Sequence, residues 1–322
     1  MYGVSPAYFF SSFGPGFRPS DIETALPGLL DLGYESFQAE AFQAEVAESW
    51  TGRDSARLSA RARDLGLSVG TFVAHWLGSE FSNPEALGRP GSLPGAPRAL
   101  EIAAALGGAP VFAVPLPALA LSGAGSAEAA ALEASRIRLR SPLIEKLGAL
   151  AEAVGQTGFR LALELLPGNA LGGSAEFLEL ISLGGLEGVG LVLDTGHFHA
   201  MGEDLPGLPR RLAGAIAATH LCDNDGHVNL SLAPGEGTIP FEALMTALAA
   251  SGYPGGLDVE IVCPPADLAR EYRKALEVLR SYESAGRMSS PSDPRLRNEP
   301  GEDRIRMKSP GPAAREAERS PV

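Results

Sequence analysis

Short apolar runs alternate with longer amphipathic stretches along almost the whole chain. The strand-like runs are Tyr2–Phe10, Ser36–Ala41, Ser68–Trp76, Pro110–Pro115, Arg160–Leu165, Gly190–Asp194, Ala215–Leu221 and Leu257–Val262. Between them Ile22–Leu32, Ser55–Leu65, Pro142–Val154, Ser174–Leu183 and Phe241–Ser251 place apolar residues near i, i+3, i+4 and i+7, the helical period. Gly33, Gly66, Gly158 and Gly252 follow helical stretches where a left-handed C-cap favours glycine. Eight mostly apolar strands alternating with helices predict an α/β fold, a single (β/α)8 TIM barrel. A doubly wound sheet is the competing architecture, but no Gly-x-Gly-x-x-Gly follows the first run.

Three segments fall outside the alternation. Residues 84–96 are rich in Gly and Pro and read as a loop over the barrel mouth. Residues 116–135 are Ala-rich and read as a mobile lid or an irregular helix. From 285 to 322 large apolar residues become scarce, so ordering entropy is not offset and a disordered tail is expected. The domain reading is therefore a barrel over 1–284 followed by a tail over 285–322.

Composition narrows the function classes. A chain of 322 residues, 45% of them hydrophobic, can bury one large core. A formal charge of −13 argues against a phosphate-tracking surface, so no nucleic-acid partner is expected. No apolar run is long enough for a membrane span, and no signal peptide is read, so a cytoplasmic location is expected. The two cysteines, Cys222 and Cys263, read as small buried thiols beside the site rather than ligands.

The chemistry gathers at the strand ends. Glu164 ends Phe159-Arg-Leu-Ala-Leu-Glu164, Asp194 ends Val189-Gly-Leu-Val-Leu-Asp194, His220 ends Ala215-Ile-Ala-Ala-Thr-His220, and Glu260 ends Gly256-Leu-Asp-Val-Glu260. Taken singly, each acid could be half of a core salt bridge and His220 a hydrogen-bonded core histidine. Four such residues on successive strands of one barrel instead predict convergence at the C-terminal mouth, where barrel chemistry sits. Three carboxylates and one imidazole suit one divalent metal, with Mn²⁺ favoured and Mg²⁺, Co²⁺ or Zn²⁺ as alternatives. His197, three residues past Asp194 across a Thr-Gly turn, reaches toward the same pocket and is expected to bind substrate. His75 beside Trp76 on the third strand is a second pocket candidate; Phe9 and Phe198 complete an aromatic-polar lining. His199 and His227 read as peripheral. Asp223, in His220-Leu-Cys-Asp223-Asn-Asp-Gly, is expected to orient a ligand or meet a substrate hydroxyl, and Gly235 and Gly237 allow close backbone approach after it.

Together, Asp194-Thr-Gly-His197, His220-x-x-Asp-Asn-Asp-Gly, Pro234-Gly-Glu-Gly and Gly252-Tyr-Pro-Gly…Glu260 resemble the sugar phosphate isomerase/epimerase family. That family has the xylose isomerase-like barrel shared with apurinic-site endonucleases. The resemblance covers residues 1–283 and is most specific over 160–262. It implies metal binding by Glu164, Asp194, His220 and Glu260, with His197 in the substrate pocket. Four departures bear on function. The fourth strand carries no histidine, and Asn229 and Ser231 stand where the endonuclease branch has an Asp-x-His, which argues against a trinuclear centre. Gln38 stands where the second strand often has a glutamate, and Gly226-His227 occupy the region where ketose 3-epimerases place an arginine.

The expected activity is a metal-dependent isomerase or epimerase of a sugar or related polyol carbonyl compound, working through a metal-stabilised enediolate. Glu164 and Glu260 are the candidate acid/base pair, and His197 would donate to the developing oxyanion. A dehydratase using the same site, a non-catalytic sugar-binding barrel and a phosphodiester hydrolase are the competing readings. The expected partner is a small molecule; a homo-oligomer is compatible with the chain.

Overall fold

The computed structural model describes residues 1–107, 110–121 and 128–288. Eight strands, all parallel, form one sheet: β1 Tyr2–Val4, β2 Ser36–Ala41, β3 Ser68–Ala74, β4 Val111–Leu116, β5 Arg160–Leu165, β6 Gly190–Asp194, β7 Ile216–His220 and β8 Leu257–Val259. Their order runs β7-β6-β5-β4-β3-β2-β1-β8. The sheet closes where Leu221 bridges Val259, with Leu221 N–H donating to Asp258 O at 2.8 Å and Glu260 N–H to Leu221 O at 3.0 Å. The predicted TIM barrel is the fold observed.

Alternation along each strand divides the core. One set of side chains packs outward under the helices, including Phe37, Phe72, Phe112, Leu163, Leu191 and Leu193. Inside lies a separate small-residue plug of Val73, Val111, Ala113, Ala162, Val192 and Ala218. Short apolar residues suit a barrel interior too narrow for larger ones. Polar residues take over the same inward positions toward the strand C-termini, which is what places a site there.

Several boundaries differ from expectation. The first apolar run is not one strand: β1 ends at Val4, and a helix over Ala7–Phe13 follows. Ser5 Oγ accepts from Ala7 N–H at 3.2 Å and turns the chain at Ser5-Pro6. Phe9 then stands against Phe17 and Phe37 at ring distances of 6.0 and 5.9 Å, inside the core. The third strand stops at Ala74, and His75–Phe81 form a 3-10 segment. Residues 128–135 of the Ala-rich stretch belong to a regular helix. Glu128–Gly155 is one helix that runs through Pro142, because its Ala, Leu, Glu and Arg residues favour helix strongly enough to absorb one missing hydrogen bond. Residues 122–127 of that stretch lie outside the described residues.

The Gly/Pro segment contains a short helix, Pro84–Leu87, and none of its residues lines the barrel-mouth cavity. Fully buried Lys146 holds it, donating to Ala86 O at 2.8 Å and Glu80 Oε2 at 3.0 Å. The last helix, Leu268–Met288, carries the first residues of the expected tail; residues 289–322 lie outside the described residues. No helix among the described residues is long and apolar enough to cross a membrane.

Candidate metal centre

Glu164 and Asp194 stand on adjacent strands near their C-terminal ends, His220 ends β7, and Glu260 lies one residue past β8. The β6–β7 register pairs Asp194 directly with His220. One donor atom from each of the four lies within 4.8 Å of the others, and among the described residues this is the group so disposed to hold a metal ion. His220 Nδ1 is 2.7 Å from Glu164 Oε1, 2.7 Å from Glu260 Oε2 and 3.8 Å from Asp194 Oδ2.

The arrangement has a surplus of acceptors. A single Nδ1 proton can serve Glu164, and Glu260 Oε2 is left without a hydrogen bond despite its close approach; Asp194 Oδ2 is likewise buried and unpartnered. Unpaired buried carboxylate oxygens cost several kcal/mol unless a counter-charge offsets them. Three carboxylates and one imidazole nitrogen facing a common point fit an oxygen-preferring divalent cation.

The electrostatics follow from that crowding. Burial lowers the proton affinity of the His220 imidazole, but the Glu260 and Glu164 carboxylates outweigh it and hold the ring well above its ordinary range. Burial would raise Glu164, yet His220 pulls it below the usual carboxylate value. Asp194 is lowered against its burial by His197 and His220. Glu260 goes the other way: burial pushes it up, opposed by His220 and reinforced by Asp194. Burial also keeps the Cys222 thiol far above its normal range, with Asp194 adding to the effect, and its sulfur is not among the four gathered donor atoms.

The cluster opens into a cavity of about 180 Å³. Its polar wall is Glu40, His75, Glu164, His197, His220 and Glu260; Pro6, Phe10, Phe42, Leu166 and Val262 form an apolar side. His197 is set by its short helix, Thr195–Ala200, which Asp194 caps by accepting from His197 N–H at 2.8 Å. Asn229 Nδ2 stands 3.3 Å from His197 Nδ1 and can only donate, so the ring proton sits on Nε2, 3.5 Å from Asp194 Oδ2. Gly196 is what lets this happen. A Cβ there would lie 2.3 Å from Asn229 Oδ1 and 2.6 Å from Cys222 Sγ.

His75 lines the cavity, stacked on Phe42 at 4.0 Å between ring centres. The other aromatic candidates do not: Phe9 and Phe198 are fully buried in the core, and Trp76 packs edge-on against Phe72 at 6.5 Å. Their place is taken by Phe10 and Phe42, whose rings lie 5.4 Å apart. His199 is bound to Thr238 at 2.9 Å, away from the cavity.

Asp223 also differs from expectation. It is fully buried and absent from the cavity lining. Its Oδ1 accepts from Asn224 and Ile239 N–H at 2.9 and 3.0 Å, and Oδ2 accepts from Gly235 N–H at 2.9 Å. Asp223 therefore ties down the Pro-Gly-Glu-Gly loop at Gly235 and just beyond it at Ile239. Gly237 makes the clasp fit, since a Cβ there would meet Asn224 O at 2.2 Å. Asp223→Ala should cost about 3 kcal/mol by leaving buried N–H groups unpaired, read as a shifted urea midpoint. Unchanged stability with weakened substrate binding would return Asp223 to the pocket.

A family model described as a xylose isomerase-like TIM barrel matches residues 29–282. The chain belongs to that family. Inosose isomerase of Halalkalibacterium halodurans is 28% identical over 134 residues, 39% of this chain and 48% of that protein. The Bacillus subtilis inosose isomerase is 27% identical over 134 residues, with the same shares. The chain thus spans about half the length of the curated relatives it matches. Among solved structures, an L-ribulose 3-epimerase has a TM-score of 0.67 at 20% identity, covering 91% of this chain and 99% of its own. A structure titled IOLI protein with a binding zinc atom has a TM-score of 0.62 at 16% identity, covering 88% and 97%. At these identities the structural likeness shows the barrel fold.

Within this family barrel, one residue near the site escaped the sequence reading and another was noted there only as a departure. Glu40 is an inward, nearly buried acid at the end of β2, with Oε1 3.3 Å from His75 Nδ1. Burial raises its carboxyl, against the pull of His75. Gln38, two residues earlier on the same face, contacts His220 from below. The alternation Ser36, Gln38, Glu40 was the available signal.

Proposed function

We propose that this chain is a metal-dependent isomerase or epimerase acting on an uncharged sugar or polyol carbonyl compound. The observation that carries this reading is the pair Glu164 and Glu260 on either side of His220, with unpartnered buried oxygens, at the wall of a small cavity. Glu164, Asp194, His220 and Glu260 would hold one divalent cation, Mn²⁺ by the oxygen-rich donor set. Such a cation supplies Lewis-acid polarisation of a carbonyl and of the hydroxyl beside it.

The residues supply the rest. Glu260, whose carboxyl is raised by burial, accepts the proton from the carbon next to the carbonyl as the electron pair moves into an enediolate. Glu164 on the other side relays a proton drawn from solvent, to the opposite face for epimerisation or to the neighbouring carbon for isomerisation, and Glu260 releases the proton it took back to solvent. His197 Nε2–H donates toward the developing oxyanion. Phe10 and Phe42 offer an apolar wall to the C–H face of a ring or chain, and Glu40 with His75 accept from or donate to remaining hydroxyls. Among the described residues no Lys or Arg lines the cavity, which supports a substrate without phosphate.

The test is proton exchange. Mn²⁺-reconstituted protein is incubated in D2O with inososes and free ketoses, and the α C–H signals are followed by proton NMR. Loss of one α signal, abolished by chelation, is expected. Metal-loaded protein that binds such compounds without exchange would favour the non-catalytic barrel.

A further inference from the structure

Gln38 is fully buried on β2, beneath the metal cluster and outside the cavity lining. One end of its amide lies 3.3 Å from Thr219 O and 2.9 Å from Asp258 Oδ2. A backbone carbonyl only accepts, so the atom facing it is the NH2 group. The other end is then fixed as the oxygen, 3.0 Å from His220 Nε2. An acceptor there requires a proton on Nε2, so the proton that Nδ1 shares with Glu164 in the metal-free ring is the one a cation would replace.

We propose that Gln38 is a positioning residue that fixes the His220 ring and reserves its Nδ1 for a divalent cation. The inference rests on the metal reading above. Thr219 and Asp258 hold Gln38 in turn, and Thr219 Oγ1 accepts from Asp258 N–H at 3.0 Å. Gly3 makes space for the relay, since a Cβ there would stand 1.9 Å from Asp258 Oδ1. The relay also gives a reason for glutamine at this position. A glutamate would put two carboxylates against each other beside Thr219 O, whereas the amide donates to both acceptors and still accepts from the imidazole.

The test is Zn²⁺ affinity of the full chain, measured by competition with a chromophoric chelator. Gln38→Leu should bind Zn²⁺ about 10–100-fold more weakly, the loss typical of removing a ligand's outer hydrogen-bond partner. Circular dichroism of the metal-free variant checks that it folds. The double variant Gln38→Glu, Asp258→Asn restores an acceptor for Nε2 and a donor at 258 but leaves Thr219 O without its donor, and should recover part of the affinity. Histidine-¹⁵N NMR of the Zn²⁺-loaded wild type needs no variant and should place the His220 proton on Nε2. Folded Gln38→Leu with wild-type affinity, or a proton on Nδ1 in the loaded protein, would overturn the relay alone. Wild type that takes up no Zn²⁺ would overturn the metal centre and the relay with it.

Discussion

Glu260→Gln should slow deuterium exchange at the substrate α-carbon by about 10²–10⁴-fold, the usual contribution of a positioned general base. Glutamine keeps the length and one carbonyl oxygen of the side chain but cannot take the proton. Glu260 is the cluster acid whose carboxyl burial raises, while Glu164 is held low by His220. The two acids should therefore fail differently. Glu260→Gln slows exchange and product formation together, whereas Glu164→Gln should retain part of the wash-in of deuterium while failing to form product. Measuring exchange and product in one NMR time course separates them. Wild-type exchange in the Glu260 variant would remove it from the base role.

Asp194→Asn should lose metal without losing the fold. Asp194 Oδ1 caps the Thr195–Ala200 helix, and an asparagine oxygen caps as well. What disappears is one negative charge among three acids gathered around His220. In wild type, a metal at 100 times its Kd should add about 2.7 kcal/mol to unfolding stability. The variant should gain almost none of this, and its metal-free form should melt at or somewhat below the metal-free wild type, because the charge that His197 and His220 favour is lost. Thermal melts with and without Mn²⁺ read both effects. A metal-dependent rise equal to that of wild type would mean Asp194 is not a ligand.

The barrel was readable because its elements obey simple periods. Gly33, Gly66, Gly158 and Gly252, expected to end helices, all have positive φ, from 73° to 92°. Glu164, Asp194, His220 and Glu260 were visible because each breaks an apolar strand at its C-terminal end, where a charge needs a reason. The structure brings those four together; what they do there remains the proposal made above. Phe9 misled because a run of aromatics satisfies strand and helix alike, and only the Ser5-Pro6 turn decides between them. Asp223 misled because an acid beside a glycine loop serves backbone N–H groups as readily as a ligand. Glu40, and the contacts of Gln38, were hidden for a different reason. Both residues sit in a strand whose inward side is distinguishable only once its neighbours are known, and Gln38 gains its meaning from Thr219 and Asp258, 181 and 220 residues away in sequence.

The most direct test of the central claim is metal stoichiometry of the untagged wild-type chain, by mass spectrometry after growth with Mn²⁺ and Zn²⁺ supplied. One divalent ion per chain is the expected result, with four protein ligands and room for one centre. No metal after reconstitution would contradict the account, and two or three zinc ions per chain would point instead to the hydrolase chemistry of a multinuclear site.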